Sequence, residues 1–186
     1  MQWMDDPQSR GVIEHLIRAF APSNVDVRPW HRAPMDDHAL SIAEIHPSPK
    51  YPFWSFLTIG CHCFQANTEP SNEYILTANS RDGRHAEIIA MVAFYGRTHR
   101  LGLGDIIAIG EAWIEGSQCD SLLVCLPYPF GLSLEFISGT SIRYNWLLPI
   151  TAKEADFARE IGVEGLERLF DARGLDFANP ARSPVV

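Results

Sequence analysis

The segment IRYNWLLPITAKE, residues 142–154, contains the strongest local structural signal in the sequence. Residues 142–150 are rich in aromatic and branched side chains, a composition typical of a buried β-strand. Thr151 and Glu154 have the spacing of a capping box. In that motif the threonine hydroxyl accepts from the glutamate amide, and the carboxylate accepts from the threonine amide. The segment therefore predicts a strand that runs directly into a helix, with residues suited to a core rather than to an active site.

Outward from this segment, helical and extended patterns alternate along the chain. Helices are predicted at residues 7–20, 84–95 and 151–173, and Gly162 either kinks the last helix or divides it in two. Extended segments are predicted at residues 25–28, 40–45, 53–61, 73–78, 106–109, 112–114, 121–126 and 132–137. The fold class is therefore α+β: a mixed, largely antiparallel sheet with helices packed against it.

The chain of 186 residues has the length of a single domain. We expect an N-terminal helix and lead-in over residues 1–24, the main domain over residues 25–174 and a C-terminal tail over residues 175–186. The tail contains Arg182 and several prolines. It is predicted to be a peripheral extension.

Charge and composition exclude several classes of partner. The 23 acidic and 15 basic residues give a net charge of −8. Nucleic acid and anionic membranes are therefore not expected partners, because both require clustered cations. The first residues do not form a secretory signal, and no apolar run reaches the ~18 residues of a membrane span. Four cysteines without a framework spacing indicate reduced thiols and predict a cytoplasmic protein.

Residues 101–142 contain five acids and no lysine or arginine. Such a stretch is either a solvated face that keeps the protein soluble or an acidic surface that docks a basic partner. Trp113 lies between two of the acids. It is a core residue if the stretch is a strand and an exposed anchor if the stretch is a loop. The candidate partner-binding residues are Asp105, Glu111, Trp113, Glu115 and Asp120.

Two segments contain residues that bind metals elsewhere. Cys61-His62-Cys63 continues a predicted strand, where alternation would place both thiols on one face and the imidazole on the other. Tetrahedral zinc would then need two further ligands, so packing, a metal site and a reactive thiol all remain as interpretations. His31, Asp36, Asp37 and His38 form either a solvated loop or a cation or acid–base site. We predict no bound metal and no cofactor.

The motifs of common enzyme classes are absent from the sequence. Residues 102–104 read Gly-Leu-Gly but lack the third glycine of a dinucleotide-binding loop, and no phosphate-binding P-loop is present. Residues 131–135 read GLSLE, which is not the nucleophile elbow of a hydrolase. We therefore predict no catalytic residues and no enzymatic activity.

The strand and capped helix, together with their order in the chain, resemble the suppressor-of-fused domain family. That family shows a hydrophobic strand ending in Leu-x-Pro-Ile/Leu, followed by a helix with a glutamate, an apolar residue, a glycine and a leucine. Thr58-Ile59-Gly60 is similar to the Thr-x-Gly end of an earlier family strand. The resemblance covers roughly residues 25–174 but departs at Cys61-His62-Cys63, where the family has small or polar residues. The matching residues at the strand and helix are Trp146, Leu147, Leu148, Pro149, Ile150, Glu154, Phe157, Gly162 and Leu166.

This resemblance implies a non-catalytic protein-binding domain. Animal members bind a transcription factor, partly through strand addition, and stand-alone bacterial members are similar to immunity proteins that neutralise a toxin. The chain is accordingly expected to be an immunity protein or a regulatory binder. The acidic charge fits a partner such as a basic toxin domain. The alternative is a metal-binding protein or metal-dependent enzyme that uses the Cys61-His62-Cys63 region.

Overall fold

A computed structural model describes residues 7–30, 40–63 and 71–186, which form a mixed sheet with helices on both faces. Within these residues the sheet has seven strands in the order β1-β2-β3-β4-β7-β6-β5. The β4–β7 pair is parallel, and every other neighbouring pair in this sheet is antiparallel. This confirms the predicted α+β class. The strands are β1 (Val25–Trp30), β2 (Leu40–Ile45), β3 (Trp54–Ile59), β4 (Ser71–Ala78), β5 (Ile106–Ala108), β6 (Cys119–Cys125) and β7 (Ile142–Thr151).

The sheet separates two hydrophobic clusters. Side chains of adjacent strand residues point to opposite faces, and in β3 Phe56 packs in one cluster whereas Leu57 packs in the other. The Leu57 cluster is covered by α1, α4 and α5, and the Phe56 cluster by α2 and the segment that contains Trp113. The helices are α1 (Pro7–Phe20), α2 (Gly83–Tyr95), α3 (Leu132–Glu135), α4 (Ala152–Ile161) and α5 (Val163–Arg173).

The strand-to-helix junction forms as the sequence predicts. β7 ends at Thr151, whose hydroxyl accepts from the Glu154 amide at 3.3 Å, while the Glu154 carboxylate accepts from the Thr151 amide at 2.9 Å. Gly162 divides the following helical segment into α4 and α5, with a φ of +93° that favours glycine. Of the two predicted alternatives, Gly162 therefore divides the segment into two helices and does not merely kink one.

The C-terminal tail is part of the core, contrary to the expectation of a peripheral extension. The Arg182 side chain is only 6% exposed and forms a bidentate pair with Glu154, which is fully buried. The Arg182 Nη2 also donates to the Pro149 carbonyl at 2.9 Å. The tail packs inward because the buried Glu154 carboxylate needs more charged and polar partners than its capping box supplies. The division at residues 24 and 174 stays a prediction.

The prediction of an extended segment over residues 132–137 is wrong. Residues 132–135 form the short helix α3 instead of a strand, and only Phe136 bridges to Arg143 of β7. Gly131, with a φ of +72°, begins this helix. A short apolar run has no clear periodicity, so its sequence cannot distinguish a strand from one helical turn.

Candidate functional site

β5 and the segment that follows it form one edge of the sheet. β5 pairs with β6 alone, through Ile106 with Leu123 and Ala108 with Ser121. Asp105 immediately precedes β5, is exposed, and accepts from the Gly102 amide at 2.7 Å through its side chain. Asp105, the first of the predicted partner-binding residues, therefore lies at this edge of the sheet.

Glu111 and Glu115 line a shallow hollow beside this edge. The hollow has a volume of about 480 Å³ and is also bordered by Asp82 and Arg84 at the start of α2. Arg84 pairs with Glu111, and its Nη1 lies 3.2 Å from a carboxylate oxygen of Glu87. Arg84 of α2 thus supplies a positive charge to residues 101–142, which contain no lysine or arginine of their own. Glu115 is exposed and forms no ion pair among the described residues.

Trp113 is buried, which corrects its prediction as a partner-binding anchor. Its side chain is 0% exposed, and its indole N–H donates to His85 Nδ1 at 2.9 Å. Burial lowers the pKa of His85, which keeps the ring neutral and able to accept. Residues 112–114 form no strand, yet Trp113 points inward because its amide donates to the Cys119 carbonyl at 2.8 Å and fixes the segment across β6.

Asp120 is half-buried on β6, next to the bulge between Cys119 and Ser121. Its carbonyl accepts from the Ile109 amide at 2.8 Å, so it continues the β5–β6 pairing beyond the strand end. We call Asp105, Glu111, Glu115 and Asp120 the acidic β5 surface. Two of the four predicted acids share the hollow, and the other two flank the edge strand.

Cys61-His62-Cys63 forms a 3₁₀ turn and not the end of a strand, so the predicted alternation of side chains is wrong. Gly60, with a φ of +109°, turns the chain out of β3. His62 Nδ1 lies 2.8 Å from Glu73 Oε1, and its Nε2 lies 3.4 Å from Cys63 Sγ. The imidazole therefore links the carboxylate and the thiol in a chain and does not converge with them on one point.

No group of three or more His, Cys, Asp or Glu side chains suited to a metal ion occurs in residues 7–30, 40–63 and 71–186. The second metal-site candidate, formed by His31, Asp36, Asp37 and His38, lies outside the described residues. Among the helices that the structure describes, none combines the length and the apolar character needed to cross a membrane.

A cleft that sequence reasoning missed lies between α5 and the β6–β7 pair. It has a volume of about 600 Å³ and an aromatic lining that includes Trp146, Phe170 and Phe177. Glu167 also borders it, and burial together with the charge of Asp171 raises the pKa of this carboxyl. The lining residues range from position 125 to position 177, so no local motif could have identified them.

Comparisons with known proteins agree with this architecture. A family model described as Suppressor of fused protein (SUFU) matches residues 36–183. The structure is similar to that of a suppressor of fused homologue from Neisseria gonorrhoeae FA 1090, with a TM-score of 0.84, 26% identity and 96% of each chain covered. No curated protein matches the chain by sequence.

Two more distant structures share the fold. The structure of a Sufu–Fu complex matches with a TM-score of 0.70 and 12% identity, covering 96% of this chain and 92% of that one. Drosophila Suppressor of Fused matches with a TM-score of 0.66 and 13% identity over 96% of this chain. This chain spans about half of the Drosophila protein, 51% of its length.

Proposed function

The chain belongs to the suppressor of fused family, and from this premise we propose that it is a non-catalytic protein-binding domain, an immunity protein or a regulatory binder. The partner we propose is another protein, such as a basic toxin domain. The observation that supports this proposal most is the acidic β5 surface, which lies beside an edge strand. Of its four acids, only Glu111 forms an ion pair with a cation among the described residues, Arg84.

The edge position of β5 supports recognition by strand addition. A terminal strand offers backbone donors and acceptors on its outer side, and an extended segment of a partner can pair with them. β5 is only three residues long, so its pairing alone contributes little affinity. A relative with this fold was solved as a Sufu–Fu complex, which shows that the architecture can present a surface to another protein.

The charges around β5 favour a basic partner. Glu115 and Asp105 are both exposed, and the whole chain has a net charge of −8. Complementary charge of this kind raises the rate of association more than it lowers the rate of dissociation, and salt screens it. An acidic immunity protein that must capture a cationic toxin quickly would gain from this arrangement.

Co-expression with the product of the neighbouring gene tests the proposal. We expect the neighbouring product to inhibit growth when expressed alone, and this chain to restore growth and form a stable complex with it. A cationic partner is expected, because the surface that would receive it is acidic. Failure of both rescue and complex formation would remove the immunity role.

Charge reversal then tests the surface. In Glu115→Lys/Asp120→Lys, we expect the association rate with that partner to fall at least about tenfold at low salt and little at high salt. Glu111 is left in place because it pairs with Arg84. The matched control is Glu14→Lys/Glu160→Lys, which changes the net charge equally on the exposed sides of α1 and α4. Equal association rates for both variants would show that the acidic β5 surface does not dock the partner.

A further inference from the structure

The 3₁₀ turn after β3 places one cysteine at the surface and its neighbouring histidine in the interior. Cys63 is exposed, whereas the His62 side chain is only 4% exposed. Gly60 makes this possible, since its φ of +109° reverses the chain direction at the end of the strand. The sequence departs from the family pattern at this position, and the turn lies outside the acidic β5 surface.

A buried carboxylate fixes the orientation of the histidine. Glu73 of β4 is fully buried, and its oxygens accept from the Thr58 hydroxyl at 2.6 Å and the Gly60 amide at 2.9 Å. They also accept from the backbone amide of His62 at 3.3 Å and from its Nδ1 at 2.8 Å. A carboxylate with these donors cannot rotate freely, so it holds the imidazole with Nε2 facing the Cys63 sulfur.

That Nε2 lies 3.4 Å from the Cys63 sulfur. Burial disfavours a charged imidazole, yet the hydrogen bonds to Cys63 and Glu73 and the charge of Glu73 raise the pKa of His62 to about 11. The ring is therefore protonated at neutral pH and donates from both nitrogens. An imidazolium that donates to a sulfur stabilises the thiolate, and a histidine oriented by a carboxylate is the arrangement that activates nucleophilic cysteines.

We propose that the Cys63 sulfur is a reactive nucleophile, positioned by His62 and Glu73, that undergoes thiol–disulfide exchange with low-molecular-weight disulfides. The Cys63 thiolate attacks one sulfur of the disulfide, a new S–S bond forms to Cys63, and the original S–S bond breaks. The second half of the disulfide leaves as a thiolate with the bonding electron pair and is reduced, while Cys63 is oxidised. His62 keeps its proton throughout.

The remaining cysteines should not compete in this reaction. Cys61, Cys119 and Cys125 are buried. Burial also raises the pKa of each of these three thiols, which keeps them protonated. The modification is therefore expected at one position of the folded chain.

Reaction of the full-length chain with dithiodipyridine at about pH 5 tests the proposal. Free cysteine, with a pKa of about 8.5, is only about 0.03% thiolate under these conditions. We expect the folded protein to release one pyridinethione per chain at a rate at least about tenfold above that of free cysteine. Cys63→Ser should abolish this phase, and His62→Gln should slow it to about the rate of free cysteine.

Two kinetic results would overturn the proposal. One is a wild-type rate no higher than that of free cysteine, a comparison that requires no variant to fold. The other is a fast reaction that persists unchanged in folded His62→Gln, because the thiolate would then not depend on the histidine. A peptide map that locates the label at a cysteine other than Cys63 would contradict the assignment in the same way.

Discussion

Replacing Arg182 with methionine is expected to lower the free energy of unfolding by about 3–5 kcal/mol. The guanidinium forms two hydrogen bonds to Glu154, at 2.7 and 2.8 Å, in a site that excludes water from both side chains. Removing it leaves a buried carboxylate with only backbone donors, chiefly the amides of Thr151 and Val185. Urea unfolding of the wild type and Arg182→Met measures the difference.

The matched control is the double variant Arg182→Met/Glu154→Gln. Glutamine keeps an oxygen that can accept from the Thr151 amide but carries no charge, so the double variant should recover part of the lost stability. A loss well below about 1 kcal/mol in Arg182→Met would show that the Arg182–Glu154 pair does not stabilise the domain. A double variant less stable than the single one would show that the loss does not come from the unpaired Glu154 charge.

The pH dependence of this effect follows from the Glu154 carboxyl. Burial opposes its ionisation, but the hydrogen bonds from Arg182, Thr151 and Val185 outweigh it and lower the pKa of Glu154. A carboxyl whose pKa is lower in the folded state stabilises the fold above its unfolded pKa of about 4.5, and this contribution is lost as the pH falls. The stability difference between the wild type and Arg182→Met should therefore narrow below about pH 4.5.

Replacing Trp113 with alanine should cost about 3–5 kcal/mol of unfolding free energy, the second large effect. The indole is fully buried in the cluster beneath α2, and its N–H is the donor to His85 Nδ1. Alanine leaves both a cavity and an unsatisfied buried nitrogen. Thermal or urea unfolding measures the loss.

Trp113→Phe is the control that distinguishes a core residue from a binding anchor. Phenylalanine fills most of the volume but donates no hydrogen bond, so about 1–3 kcal/mol should be lost while the fold is retained. Because Trp113 is 0% exposed, this variant should associate with the partner at the wild-type rate. Wild-type stability combined with lost binding would instead show that Trp113 contacts the partner.

The local parts of the fold could be predicted from the sequence, because their signals lie within a few residues. The strand over residues 142–150 and the capping box at Thr151 depend on composition and on i, i+3 spacing. Gly162 is recognisable as a break in the helix, but the sequence alone does not specify its φ of +93°.

The contacts that define the candidate sites could not be predicted in the same way. Glu154 and Arg182 are 28 residues apart, and Arg84 and Glu111 are 27 apart, so no periodicity connects them. The burial of Trp113 depends on its backbone pairing with Cys119, which a loop composition does not reveal. The acidic character of residues 101–142 can be read from the sequence. Arg84, which pairs with Glu111, belongs to α2, and its proximity cannot be read in that way.

Backbone hydrogen exchange of the complex with the neighbouring gene's product tests the central claim most directly. If this chain is a binding domain that docks a basic partner at β5, residues 105–120 should exchange more slowly in the complex than in the free chain. Exchange in α1 and α4, on the other face of the sheet, should stay unchanged. Absence of a complex would contradict this docking. So would slowed exchange confined to α1 and α4 while residues 105–120 exchange as in the free chain.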